Sequence, residues 1–278
     1  MKTISSSVCS PETKNKGCLP QTEYVEMKKD LSKNDIKFCK SKHPKRKDNQ
    51  NYCLAEKAIE RSNGNFHHLL KKYFKPKSPQ SWKSKPNTWL SNFDIENVLK
   101  QYENKKKIFL GVAAIDFEKA CGYFGFNHCS FKPELNKKYF MVINLSKHNE
   151  SGTHWVALTM NTHVNSPNYG AMYFDSYGSR PEKEIKKFTE RCAADLQNAM
   201  NSNSKKYSKS QKNKKFPLHY NRIQMQTSNS ECGIYCLSYI YLFLNCKKDE
   251  DHNILCDKLR TVFPQIDKIN ERNKFFIL

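Results

Sequence analysis

The sequence predicts an α+β fold, and three observations carry that prediction. Residues 140–145, 154–160 and 171–177 are short runs rich in β-branched and aromatic side chains, the composition of strands belonging to one sheet. Residues 181–200 place Ile185, Phe188, Ala193 and Leu196 on one face of a helix. The apolar run 234–244, broken only by Ser238, opens directly after Cys232 and Gly233 and reads as a buried helix with a thiol at its entrance.

The remaining elements follow in chain order. Residues 1–86 are polar and Lys-rich, with helical islands at 23–31 and 52–73. In the second island Leu54, Ala58 and Ile59, then Phe66, Leu69 and Leu70, recur at helical spacing. Pro76, Pro79 and Pro86 punctuate a connector, so the chain divides into a basic helical arm with its linker, 1–86, and a core, 87–278. Ser91 or Asn92 caps a helix beginning near 92, with Ile95, Val98 and Leu99 inward. Residues 201–215 read as a polar, basic loop, and 216–226 as a further strand leading to the cysteine helix. No internal repeat is visible.

Composition narrows the class. A chain of 278 residues with 37% hydrophobic content suits one or two domains with a real core. No window approaches the ~18–20 apolar residues of a membrane span, and the first residues lack the apolar segment of a secretory signal, so the expectation is a soluble intracellular protein without membrane contact. The eleven cysteines are scattered and odd in number, without Cys-x2-Cys or paired Cys/His spacing. This predicts reduced thiols, with neither a disulfide framework nor a structural zinc. The net charge of +21 includes basic runs at 42–47, 105–107 and 205–215. These are either solvated loop charge or a contact for nucleic acid.

Cys232 at a helix N-terminus is placed where the helix dipole favours a thiolate. A nucleophilic thiol needs a base and a group that orients it. His154 and Asp175 are the candidates. A hairpin closing around 163–166, where Asn165-Ser166-Pro167-Asn168 has turn chemistry, puts them opposite one another with Cβ atoms ~4.5–5.5 Å apart. Each also has a structural alternative, His154 as a satisfied strand histidine and Asp175 as the cap of the turn at 176–179. Gln226, six residues before the cysteine, can donate with the Cys232 backbone N–H to an oxyanion, and Gln224 competes for that role. Gly233 removes a Cβ where a substrate carbonyl must approach. Cys236, one helical turn on, faces the core.

The order His154-Trp155, Phe174-Asp175-Ser176, then Gln226 and Cys232-Gly233 resembles the His-Trp, Asp, Gln-x5-Cys-Gly pattern of the SUMO-protease (ubiquitin-like-protein protease) superfamily. Trp89-Leu90 is similar to that family's Trp-Leu-Asn-Asp segment, with Ser91-Asn92 in place of Asn-Asp. Ile143-Asn144-Leu145, Ser151-Gly152-Thr153 and the arm resemble the viral members, the adenovirus and African swine fever virus maturation proteases. The resemblance covers about 87–245.

It implies a papain-like cysteine protease core, a central mixed sheet with a buried helix headed by the cysteine. Cys232 is then the nucleophile, His154 the base, Asp175 the orienter, and Gln226 with the Cys232 amide the oxyanion site. Trp155, packed beside the imidazole, and Asn144, Trp89 and Gly233 would line the substrate channel. No metal or cofactor is implied. The implied partners are polyproteins cut at Gly-Gly-X sites or SUMO-like proteins, met by a monomer in the host cytoplasm and virion, or in the cytoplasm or nucleus of a cell. Two other classes share parts of the pattern, a His-acid-Cys acyltransferase and a catalytically silent binding module.

Overall fold

The structure, a computed structural model, describes residues 7–11, 13, 17–85, 87–121, 127–203, 206–247, 250–262 and 268–277. The chain forms two compact units. One comprises Met1–Pro86, Asn97–Tyr102 and Lys268–Leu278, the other Asn87–Glu96 and Glu103–Asp267.

The first unit gathers helices α1 (Gln21–Lys28), α2 (Lys33–Lys42), α3 (Lys47–Arg61) and α4 (His67–Tyr73) around buried Met27, Leu54, Ala58, Leu69 and Phe74. The helical island at 52–73 is two helices, because Asn63 and Gly64 both take positive φ and end α3. Helix α2 opens on a reciprocal cap between Ser32 and Asp35. A C-terminal helix, Lys268–Phe275, belongs to this unit, and Phe276 after it meets Trp82 edge to face at 4.9 Å.

The expectation of reduced thiols is corrected at six cysteines. Cys9–Cys18, Cys39–Cys53 and Cys121–Cys129 are disulfide-bonded, with Cα separations of 5.1, 5.7 and 5.8 Å. Helix packing brings Cys39 of α2 to Cys53 of α3, and that proximity is not written in sequence spacing. The inference from thiol chemistry to a reducing compartment lapses with it.

The second unit opens with the first part of α5 (Asn92–Leu99), whose residues from 97 on belong to the first unit; its first turn is capped reciprocally by Ser91 and Asp94. A five-stranded sheet follows, in the order β1 (Lys107–Ala114), β2 (Lys138–Asn144), β3 (Trp155–Asn161), β4 (Gly170–Phe174) and β5 (Leu218–Tyr220). β1 runs parallel to β2, β3 antiparallel to both β2 and β4, and β5 parallel to β4. Helix α6 (Lys183–Ser202) covers one side through Ile185, Phe188 and Cys192. A short α7 (Lys209–Lys212) sits in the basic loop, and α8 (Cys232–Leu244) and α9 (His252–Val262) complete the unit. Among the described residues no helix is long and apolar enough to cross a membrane.

Helix α8 is buried along nearly its whole length, as its composition requires. Tyr239 binds it to the sheet, its hydroxyl 2.9 Å from Thr159 Oγ1 on β3 and its ring stacked on Phe174 of β4. That packing fixes where the head of the helix lies.

The strand expected over 216–226 is only three residues long. Asn221 ends it by turning its side chain on Asp175, accepting the Asp175 N–H at 2.9 Å and donating to the Asp175 carbonyl at 2.5 Å. A side chain thus replaces the next rung of the backbone ladder.

Candidate active site

His154 precedes the first residue of β3 and Asp175 follows the last of β4, so both stand at the same end of the sheet. The register differs from the expected one by two residues. Ala157 faces Phe174, which puts His154 level with Tyr177 rather than with Asp175. An even shift keeps every side chain on its face, and the imidazole reaches the carboxylate along the diagonal, Nε2 to Oδ1, at 2.6 Å. Nε2 is taken by Asp175, and the Cys232 thiol stands near enough to the same imidazole to favour its protonated form. The structure therefore brings together residues 154, 175 and 232 at the head of α8.

Electrostatics follow from that chain of contacts. Burial disfavours the imidazolium, but the hydrogen bond to Asp175 and the nearby Cys232 sulfur outweigh it and carry the His154 pKa up to about 9. Asp175 is almost wholly buried, which favours its neutral form, yet His154 and the Tyr177 N–H hold its pKa below the ordinary carboxylate value. Asp175 also performs the structural task read as its alternative. Its carboxylate accepts from the N–H of Tyr177 at 2.9 Å and of Ser179 at 3.3 Å, and its carbonyl from Gly178 at 2.8 Å, closing the turn. Cys236 is fully buried and its thiol is pushed far up, the opposite of a reactive cysteine.

Gln226 is buried beside the same turn. Its Oε1 accepts from Ser176 Oγ at 2.7 Å, and its Nε2 donates to the Ser228 carbonyl at 2.7 Å and to the Tyr177 hydroxyl at 3.4 Å. The amide N–H groups of Met225 and Gln226 both bind the Ser176 carbonyl. Gln224 turns away, its side chain bonded to the Gln226 carbonyl.

Trp89, Asn144 and Trp155 border a cleft of about 750 Å³ whose walls also include Phe93 and His148. Trp155 donates its indole N–H to the Leu90 carbonyl at 2.9 Å, and the ring stacked on the imidazole is Tyr177, not Trp155. Gly233 meets Leu90, whose side chain would lie 3.1 Å from a Cβ at that position; its smallness admits the chain at 89–90. Asn144 organises the β2–β3 loop that delivers His154, its Oδ1 accepting from the N–H of Ser146 and Thr153. Gly152 allows this, since a Cβ there would stand 2.7 Å from Asn144 Nδ2.

Sequence reasoning passed over Tyr177 and Asn221, and it named Leu90 in the Trp89-Leu90 segment without its contact to Gly233. The Asp175-Ser176-Tyr177-Gly178 turn was the available signal for Tyr177; Asn221 acts through folded proximity alone.

Residues 136–272 match the Ulp1 protease family, C-terminal catalytic domain. That stretch, just under half of the chain, is similar to the Ulp1-family catalytic domain. Residues 154, 175, 226 and 232 lie within the matched stretch, and Trp89 lies outside it. A protein of Acanthamoeba polyphaga mimivirus named as a thiol protease is 26% identical over 167 residues, 58% of this chain and 50% of that protein. The chain thus spans about half the length of this curated relative. The ASFV pS273R protease shares the fold across 99% of this chain and 97% of its own, with a TM-score of 0.64 at 20% identity; its selenomethionine form gives 0.62 at 17%. The chain is thus similar to thiol proteases of the SUMO-protease type, and it shares their mixed α/β fold.

Proposed function

We propose that the chain is a cysteine endopeptidase cutting extended protein segments after small residues of the Gly-Gly kind. The observation that carries this reading is the 2.6 Å hydrogen bond between His154 and Asp175, with Cys232 near the same imidazole at the head of α8.

In this mechanism the Cys232 thiolate, paired with protonated His154, attacks the scissile carbonyl. Gln226 and the Cys232 backbone N–H receive the oxyanion; Gln226 frees an N–H for it by giving up the Ser228 carbonyl or the Tyr177 hydroxyl. His154 protonates the leaving amine to leave an acyl-enzyme, then activates the water that releases it. The cleft lined by Trp89 and Trp155 suits a strand without bulky side chains, with Asn144 on its wall, while Gly233 seats Leu90 of the same lining.

The similarity to viral proteases supports structural polyproteins as substrates, processed by a monomer in the host cytoplasm and the virion. The Ulp1-family match supports a second reading, hydrolysis of SUMO-like precursors or conjugates. Division into an arm, 1–86, and a protease core, 87–278, belongs to the same proposal. Twenty Lys and Arg against eight Asp and Glu in residues 1–86 favour nonspecific contact of the arm with nucleic acid. Such binding weakens steeply with salt, and salt-independent binding removes it.

Incubation of the full chain and its Cys232→Ala variant with Gly-Gly-X peptides and with SUMO or ubiquitin fusions tests the function. Cleavage after glycine by the wild type alone is expected. Acetyl transfer from acyl-CoA instead points to an acyltransferase, and binding without turnover to a silent module.

A further inference from the structure

Tyr177 touches each part of the site through a different group. Its backbone N–H donates to Asp175 Oδ1, the same oxygen that receives His154 Nε2. Its ring lies on the imidazole, with centroids 4.8 Å apart and planes inclined by 30°. Its hydroxyl donates to the Ser228 carbonyl at 2.8 Å and receives the Gln226 amide at 3.4 Å. The side chain is 37% exposed, more than a residue held only for core packing would be.

The three contacts have separable consequences. An aromatic face over an imidazole favours the protonated ring, because the quadrupole attracts the cation. It also leaves the imidazole one plane in which to serve both Asp175 and Cys232. The hydroxyl contact closes a second bridge, parallel to that of Ser176 and Gln226, between the turn carrying Asp175 and the segment 225–228 that approaches the nucleophile.

Resting on the protease reading above, we propose that Tyr177 is a positioning residue of this active site. The ring holds His154 in plane and stabilises its protonated form, while the hydroxyl fixes the segment bearing the oxyanion donor Gln226. Asp175, His154 and Gln226 are thereby set by one residue, on the turn that follows β4.

The test is the pH dependence of Cys232 alkylation by iodoacetamide, followed by mass at that residue, beside peptide turnover, for wild type, Tyr177→Leu and Tyr177→Phe. Leucine keeps bulk and loses the π face. Its upper pH limb is expected to move down by about half a unit, with turnover reduced at least tenfold. Phenylalanine keeps the ring, so its limb stays in place while turnover at the optimum falls severalfold.

A Leu variant with the wild-type limb overturns the proposal. If the Leu variant does not fold, Phe decides, and turnover equal to wild type overturns it. A wild type in which Cys232 alkylates as an ordinary thiol, with no step attributable to an imidazolium, sinks the protease reading itself and is recognisable as such.

Discussion

His154 and Asp175 meet on a diagonal of the sheet, two residues out of direct opposition, with Nε2 and Oδ1 2.6 Å apart. Through that bond the carboxylate sets both the tautomer and the plane of the imidazole. Replacing Asp175 with Ala should therefore lower kcat/KM by about 10²–10⁴-fold. The upper limb of the pH–rate profile should also retreat below about 9. An unchanged limb in peptide hydrolysis would show that Asp175 only caps its turn.

Stability should respond to pH with a definite sign. The His154 pKa rises from 6.5 to about 9 on folding, so its contribution is complete below 6.5 and fades as pH climbs through 9. The Asp175 pKa is lowered from 3.8, so its contribution is present above 3.8 and fades in acid. Melting temperatures between pH 6 and 10 should fall more for wild type than for Asp175→Ala.

Cys232 and Cys236 offer an internal control one helical turn apart. Cys232→Ala should abolish turnover and labelling by a Gly-Gly-aldehyde or vinyl-sulfone probe. Cys236→Ala removes a fully buried thiol, and should cost roughly 1 kcal/mol of stability while leaving Cys232 labelled. Probe on residue 236 in the wild type would reverse the assignment of nucleophile.

Gln226→Ala removes the side-chain oxyanion donor and leaves Ser176 without its acceptor. A loss of about 10²–10³ in kcat is expected, with KM for a Gly-Gly-X peptide little changed. A rise in KM at constant kcat would assign Gln226 to the groove instead.

The arm's disulfides make a claim independent of catalysis. Opening Cys39–Cys53 by a double Ser substitution releases a loop of 14 residues and should cost about 3 kcal/mol in the first unit. Thermal melts of the full chain with and without reductant, read by probes in each unit, check it. A first-unit transition indifferent to reductant would dissolve the claim.

Legibility of this fold in its sequence divides along physical lines. Local signals sufficed for the helix at 92, for the long helix after Pro181 and for the head of the cysteine helix, because caps and 3.6-residue periodicity are properties of contiguous residues. The Ser32–Asp35 cap of α2 was equally local and was passed over. β1 escaped because its burial runs in pairs across a register shift between Phe109 and Val112, hiding the alternation that marks a strand. The β3–β4 register was displaced by two because Thr162–Tyr169 is longer than a tight hairpin loop, so turn chemistry does not set the pairing. The order of His154, Asp175 and Cys232 could be read, whereas Tyr177 on the imidazole, Asn221 on Asp175 and Leu90 on Gly233 exist only once the sheet is assembled.

Trp155 has a neighbourhood with a consequence of its own. Its indole is pinned to the backbone of Leu90, and Leu90 rests on the glycine that follows the nucleophile. The lining of the cleft and the head of the cysteine helix hang from a shared post. The tryptophan-bearing strap cannot be exchanged like an ordinary specificity loop: a new lining must keep the same backbone carbonyl in place, or altered selectivity and slower chemistry will arrive together.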